Sequence, residues 1–155
     1  MPCISKSKTD SRARPYISKS KTDSHATPDN VLQHVARVYG QVLPFDPCPL
    51  NDNPEFDGRE LSFPHGGVVF VNPPYSQLKT TRVRGLGWVE KCHQEAQKGA
   101  HVVMLLPART DTQWFHEIIL ENKYRLEFWR GRLKFKGSTN SAPFPSMLVI
   151  MKPNN

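Results

Sequence analysis

The sequence predicts an α/β fold, a sheet of mostly parallel strands flanked by helices. Two short apolar runs, 67–71 and 101–106, are bounded by Gly and Pro, as buried central strands are. Each runs into a polar, proline-bearing cluster: Asn72-Pro73-Pro74-Tyr75 after the first, Pro107-Ala108-Arg109 after the second. Between them, 88–98 has helical spacing, with Trp88, Val89, Cys92 and Ala96 on one face and Gly99 at its end. Ligands of such sheets sit at the carboxyl ends of the strands, which is where both clusters fall.

The chain has 155 residues, enough for one domain with a real core. Residues 1–25 stand apart from it. "ISKSKTDS" occurs at 4–11 and again at 17–24, a tandem repeat too polar to bury a core. This stretch reads as a flexible basic arm suited to loose phosphate contact, or as a duplication without function. Residues 26–155 form the expected domain. The net charge of +7 points to a polyanionic partner. It is uneven, with +4 in residues 1–26 and +3 in the rest, so the folded part is only mildly basic.

Cys3, Cys48 and Cys92 are scattered and form no C-x-x-C pair, which argues against a disulfide framework and a zinc site and for a reducing compartment. The six histidines are likewise dispersed, so no metal is expected. No apolar run reaches the length of a membrane span, and no membrane association is expected.

Thr27-Pro28-Asp29-Asn30 opens the first helix, with Thr27 as cap and Pro28 in the first turn. Val31, Leu32, Val35 and Val38 make its apolar stripe, and Gly40 closes it. Residues 42–46 read as a short strand ending at Asp46-Pro47. Residues 47–66 are too few for two further strands with their helices, so the sheet is reduced or this segment is mostly loop. Asp57-Gly58 within it has turn character. The loop 77–87 carries Lys79, Arg82 and Arg84, placed beside the first strand end to touch phosphates or to enter a duplex. Thr110 and Gln113 have capping-box spacing for a helix through about 122, its buried face being Trp114, Phe115, Ile118 and Ile119. Residues 124–129 and 146–151 read as an antiparallel pair at the sheet edge. Between them Arg130, Arg132, Lys134 and Lys136 alternate with Leu133 and Phe135, giving a ribbon with a basic face and an apolar one. The basic face either guards the sheet edge or meets a nucleic-acid backbone.

The 72–75 tetrad suits one kind of chemistry. An exocyclic amino group on adenine is a poor nucleophile because its lone pair is delocalised into the ring. Two acceptors on its protons return density to the nitrogen, and here those acceptors are the Asn72 side-chain carbonyl and the Pro73 backbone carbonyl. Pro73 and Pro74 fix φ and hold the acceptors in place. Tyr75 can stack on a base withdrawn from its helix. The plain alternative is a strand ending in a tight turn, with Tyr75 packing in the core.

The tetrad resembles motif IV of amino-methyltransferases that use S-adenosylmethionine. With Thr27-Pro28, "LLPARTDTQWFH" at 105–116 and "RGRLKF" at 130–135, the chain from Ala26 onward resembles the phage-type DNA N6-adenine methyltransferase (Dam) family. That resemblance implies a reduced Rossmann-like class I methyltransferase sheet, mostly parallel with an antiparallel edge pair. It implies S-adenosylmethionine as cofactor, DNA as partner, and the cytoplasm of a phage-infected or prophage-bearing cell as location. Asn72, Pro73, Pro74 and Tyr75 would be catalytic. Thr27, Pro28, Asp46, Pro47, Asp57 and Asn72 would meet the cofactor, and Lys79, Arg82, Arg84, Arg109, Arg130, Arg132 and Lys134 the DNA. The chain departs from the family's usual first cofactor motif, since no Gly-rich turn follows Asp46 before Gly58. The alternatives are an RNA or protein-glutamine acceptor, or an inactive methyltransferase-like module that binds nucleic acid.

Overall fold

The computed structural model describes residues 26–50, 53 and 55–153; the basic arm and its repeat lie outside the described residues. Four strands form one sheet: β1 (Val68–Val71), β2 (His101–Pro107), β3 (Arg125–Phe128) and β4 (Ser146–Met151), in the order β1-β2-β4-β3. β1 and β2 are parallel, with Val68 opposite His101 and Val71 opposite Met104. β4 runs against both its neighbours, pairing Pro107 with Ser146 and Phe128 with Met147. The expected antiparallel pair at one edge is therefore present. The sheet is mixed rather than mostly parallel, because only one of its three pairings is parallel.

The strands read as unbroken apolar runs because both faces are covered. On one face Val69, Val71, Val102, Met104, Leu106, Met147, Val149 and Met151 pack with α2 (Trp88–Gln97), through Trp88, Val89, Cys92 and Ala96. Trp114, Phe115 and Ile119 join that core. The other face, Val68, Phe70, Val103, Leu105, Leu148 and Ile150, packs on α1 (Asp29–Val38) through Val31 and Val35. Leu133 and Phe135 complete this second core while Arg132, Lys134 and Lys136 stay exposed, so the alternation in 130–136 is real. The segment forms only an isolated bridge, Ala26 to Lys136, rather than a ribbon strand.

Several local expectations fail for identifiable reasons. Residues 42–46 form no strand: Val42 makes a single parallel bridge to Val68, and Leu43 N donates to Val68 O at 2.8 Å. Pro44 follows with no N–H to continue the ladder. Thr27 does not cap α1, because the helix begins one residue later with Pro28 at the cap, and Val38 is exposed. The Thr110–Gln113 capping box is absent. Thr112 Oγ1 donates to Arg109 O at 2.8 Å instead, and Gln113 turns outward to Glu117 at 3.1 Å. The following residues, Phe115–Leu120, wind as a π-helix, a wider coil that the α-helical spacing rules do not describe.

The described residues of 47–66 are largely loop, as the length of the segment requires, with a short 3₁₀ turn at Gly58–Glu60. A buried ion pair fastens this segment to α2. Lys91 Nζ meets Glu95 Oε2 at 2.8 Å and donates to Leu61 O at 2.7 Å, while Phe63 N donates to Glu95 Oε1 at 2.9 Å. Burial alone would raise the Glu95 carboxyl pKa. The hydrogen bonds from Lys91 and Phe63, with the charges of Lys91 and Lys98, outweigh it and hold the carboxyl below the ordinary glutamate value.

Candidate active site

β1, β2 and β3 all point the same way, so Val71, Pro107 and Phe128 end at one rim of the sheet. Asn72-Pro73-Pro74-Tyr75, Arg109 and the 130–134 segment all leave from that rim. Asn72 is half-buried there, while Pro73 and Tyr75 are buried. Three segments distant in sequence thus converge because the strands share a direction, which is the usual origin of a site in an α/β sheet.

The amide of Asn72 is held at both ends. Its Nδ2 donates to Thr27 Oγ1 at 2.9 Å, across 45 positions of chain. Its Oδ1 lies 3.3 Å from the Tyr75 hydroxyl. Thr27 is free to do this because Pro28 takes the cap position, leaving the Thr27 side chain outside the helix. The amide of Asn72 and the amino end of α1 are therefore one unit.

Tyr75 starts a 3₁₀ turn, Tyr75–Gln77, that folds the ring back into the core. The ring is 7% exposed and meets Phe144 edge-on, with centroids 5.7 Å apart. Its hydroxyl lies 3.2 Å from Leu105 O as well as near Asn72, and its single proton serves one acceptor at a time. Burial drives the phenol pKa far above its ordinary value, and the nearby Arg109 charge only partly offsets this. Tyr75 therefore stays neutral. Phe144 was missed in the sequence, where it lies in a Pro- and Ser-rich loop with no periodic signal.

Asp46 is exposed, two residues past Pro44 on a segment that runs parallel to β1. Surrounding protein raises its pKa above the ordinary value, and the Cys48 N–H, 2.9 Å from Oδ1, pulls the other way. Asp57 caps the short 3₁₀ turn, accepting from the Arg59 N–H. It is buried and gripped by Arg59, with Nε 2.9 Å from Oδ1 and Nη2 2.8 Å from Oδ2. Arg59 also donates to Leu86 O at 2.8 Å. This fork ties the 57–60 turn to the loop before α2, and the Asp-x-Arg spacing was its only sequence signal. Gly58 packs directly on Pro47: a Cβ there would stand 1.9 Å from Pro47 O. Pro47 and Asp57 are therefore neighbours through their backbones.

Lys79, Arg82 and Arg84 are exposed in a small hairpin, with Thr81 and Gly85 exchanging backbone bonds of 2.9 and 2.8 Å. Arg109, Arg130, Arg132 and Lys134 are exposed beyond β2 and β3. Among the described residues no group of three or more His, Cys, Asp or Glu is placed to hold a metal ion, and no helix is long and apolar enough to cross a membrane.

A mixed α/β sheet with an Asn-Pro-Pro-Tyr strand end and basic loops on one rim has the build of a DNA-modifying methyltransferase. The comparison with known families agrees: the model described as DNA N-6-adenine-methyltransferase (Dam) matches residues 15–155. The chain belongs to the Dam family, and with it to the DNA adenine methyltransferases. No curated protein and no solved structure matches the chain.

Proposed function

We propose that this chain methylates the N6 amino group of adenine in DNA, with S-adenosylmethionine as donor, on a reduced Rossmann-like sheet of the phage type with an NPPY tetrad. The observation that carries this reading is the 2.9 Å bond from Asn72 to Thr27, which joins the nucleophile-holding strand end to the start of α1.

The donor set suits the cofactor. Asp46 supplies an exposed carboxylate for an ammonium or ribose hydroxyl, and Thr27 beside Pro28 supplies a hydroxyl at the positive end of a helix, which favours a carboxylate. Pro47 shapes the wall next to Asp46. Asp57 supports that wall through Gly58 rather than touching the cofactor, since its carboxylate is already engaged by Arg59. S-adenosylmethionine supplies a methyl group made electrophilic by its sulfonium.

The rest is done by the protein. Asn72 Oδ1 and Pro73 O accept hydrogen bonds from the two N–H groups of the adenine amino group, and Pro73 and Pro74 keep these acceptors preorganised. Thr27 holds the amide with its oxygen turned to the base rather than its nitrogen. Tyr75 offers its ring to the base once Phe144 moves aside, and its hydroxyl steadies Asn72 from the other side. Lys79, Arg82, Arg84, Arg109, Arg130, Arg132 and Lys134 line the same rim and would meet phosphates.

The test is titration calorimetry of S-adenosylmethionine followed by tritiated-methyl transfer to unmethylated DNA, with Asn72→Ala as control. Binding, transfer to N6-methyladenine, and loss of transfer in the variant are expected. Transfer only to RNA or protein would move the acceptor. No binding would leave a nucleic-acid-binding module in place of the enzyme.

A further inference from the structure

Among the described residues the most exposed large apolar side chain is Val83, at 95%, followed by Phe128 at 59%. Isolated exposed apolar residues are ordinary on a protein surface. Val83 differs in where it stands and how it is held. It occupies the centre of a three-residue turn, Arg82-Val83-Arg84, closed by the Thr81–Gly85 bridge. Gly85 takes φ +80°, a conformation that favours glycine and completes the reversal.

The base of this hairpin is clamped on three sides. Arg84 donates to Ser76 O at 2.7 Å, directly beside Tyr75. Gly87 N donates to Thr80 Oγ1 at 2.9 Å, and that hydroxyl donates on to Glu90 Oε1 at 2.8 Å. Gly87 is pressed so closely on the backbone of 78–80 that a Cβ would lie 2.4 Å from Leu78 O. Arg59 fixes Leu86 O from the Asp57 side. A merely solvated loop needs no such bracing. A tip that must push into something does, because a slack loop would bend instead.

We propose that Val83 is a wedge that enters the base stack of duplex DNA as the target adenine leaves it, with Lys79, Arg82 and Arg84 on the flanking phosphates. Apolar side chains inserted between base steps unstack them, and extraction of a base needs that help. The hairpin springs from the Tyr75–Gln77 turn, so the wedge and the base-holding tetrad belong to one continuous piece of chain. Cations on both sides of the apolar tip match a polyanion better than they match an apolar protein surface. The inference rests on the DNA-adenine methylation proposed above.

The test begins once the methylated adenine has been mapped with the wild-type enzyme; failure at that stage would count against the methylation reading and leave no duplex for a wedge to act on. Two duplexes carrying the mapped site are then compared, one fully paired and one with the target adenine opposite an abasic position. Val83→Ser should lower the single-turnover rate on the paired duplex by about tenfold or more, and on the unpaired one by less than about threefold. Val83→Leu should keep the wild-type ratio. In parallel, 2-aminopurine at the target position should brighten on binding wild type and not on binding Val83→Ser. Equal rates for Val83→Ser and wild type on the paired duplex, or equal losses on both duplexes, would overturn the proposal. So would dissociation of a dimer by Val83→Ser with unchanged aminopurine fluorescence, which would assign the tip to a second copy of the chain.

Discussion

Replacing Thr27 by Val leaves shape nearly unchanged and removes the oxygen that receives Asn72 Nδ2 at 2.9 Å. A bond of this kind in a half-buried setting is worth about 1 kcal/mol. If its task is to keep the Asn72 oxygen facing the base, the loss should appear as about a fivefold lower single-turnover rate. Asn72→Ala, which removes a preorganised acceptor, should cost on the order of a hundredfold or more. The double variant is decisive. With Asn72 already gone, Thr27→Val should change the rate by less than about twofold, because contacting residues are not additive. Rapid-quench methyl transfer on a mapped site measures all four corners of the cycle. An undiminished fivefold effect of Thr27→Val in the Asn72→Ala background would refute the reasoning. If it came with weaker S-adenosylmethionine binding, Thr27 would be acting on the cofactor alone.

Four other outcomes follow from the same geometry. Gly58→Ala forces a methyl against Pro47 O and should destabilise the fold by about 2 kcal/mol or more, read as a lower urea midpoint with an unchanged slope. Lys91→Met leaves the Glu95 carboxylate buried without its main partner and should cost about 3 kcal/mol. In the wild type the lowered Glu95 pKa means that its stabilisation is fully present above the ordinary glutamate value of 4.5 and is lost as pH falls through the lower folded value, so acid unfolding should steepen there and flatten in Glu95→Gln. Tyr75→Phe removes the hydroxyl and keeps the ring, so it should cost about 1 kcal/mol of stability and slow transfer by less than about fivefold. A loss as large as that of Asn72→Ala would show that the hydroxyl itself is essential.

The strands were legible because they are covered on both faces. Val68–Val71, His101–Pro107 and Ser146–Met151 carry apolar residues at nearly every position, and no surface helix of this size would do so. Helix α2 was legible through its stripe and the glycine that ends it. What failed depended on partners far along the chain or on a single backbone atom. The strand at 42–46 has suitable side chains, and one missing N–H at Pro44 ends it. Thr27 looks like a helix cap until Asn72 is seen to claim its hydroxyl. The packing of Tyr75 against Phe144 depends on a loop 69 positions away. Asn72 was legible because both its neighbours in sequence and its place after a strand pointed to the same rim.

The position of β4 has a consequence for how the domain comes to exist. It is the last strand among the described residues and an interior one in the sheet, lying between β2 and β3. A nascent chain that has delivered everything through Phe128 therefore holds β1 and β2 with one raw edge and β3 with nothing to join. The edge of β2 that faces β4 has no partner strand until residues 146–151 emerge and insert. The rim that carries Asn72 and Tyr75 is in the same position, because Phe144 and Pro145 arrive with β4 and Pro145 O receives the Ala108 N–H at 2.9 Å. Synthesis order thus withholds both the completed sheet and the covered Tyr75 ring until one late segment slides into the middle, and any pause in translation before it leaves an adhesive strand edge open to other chains.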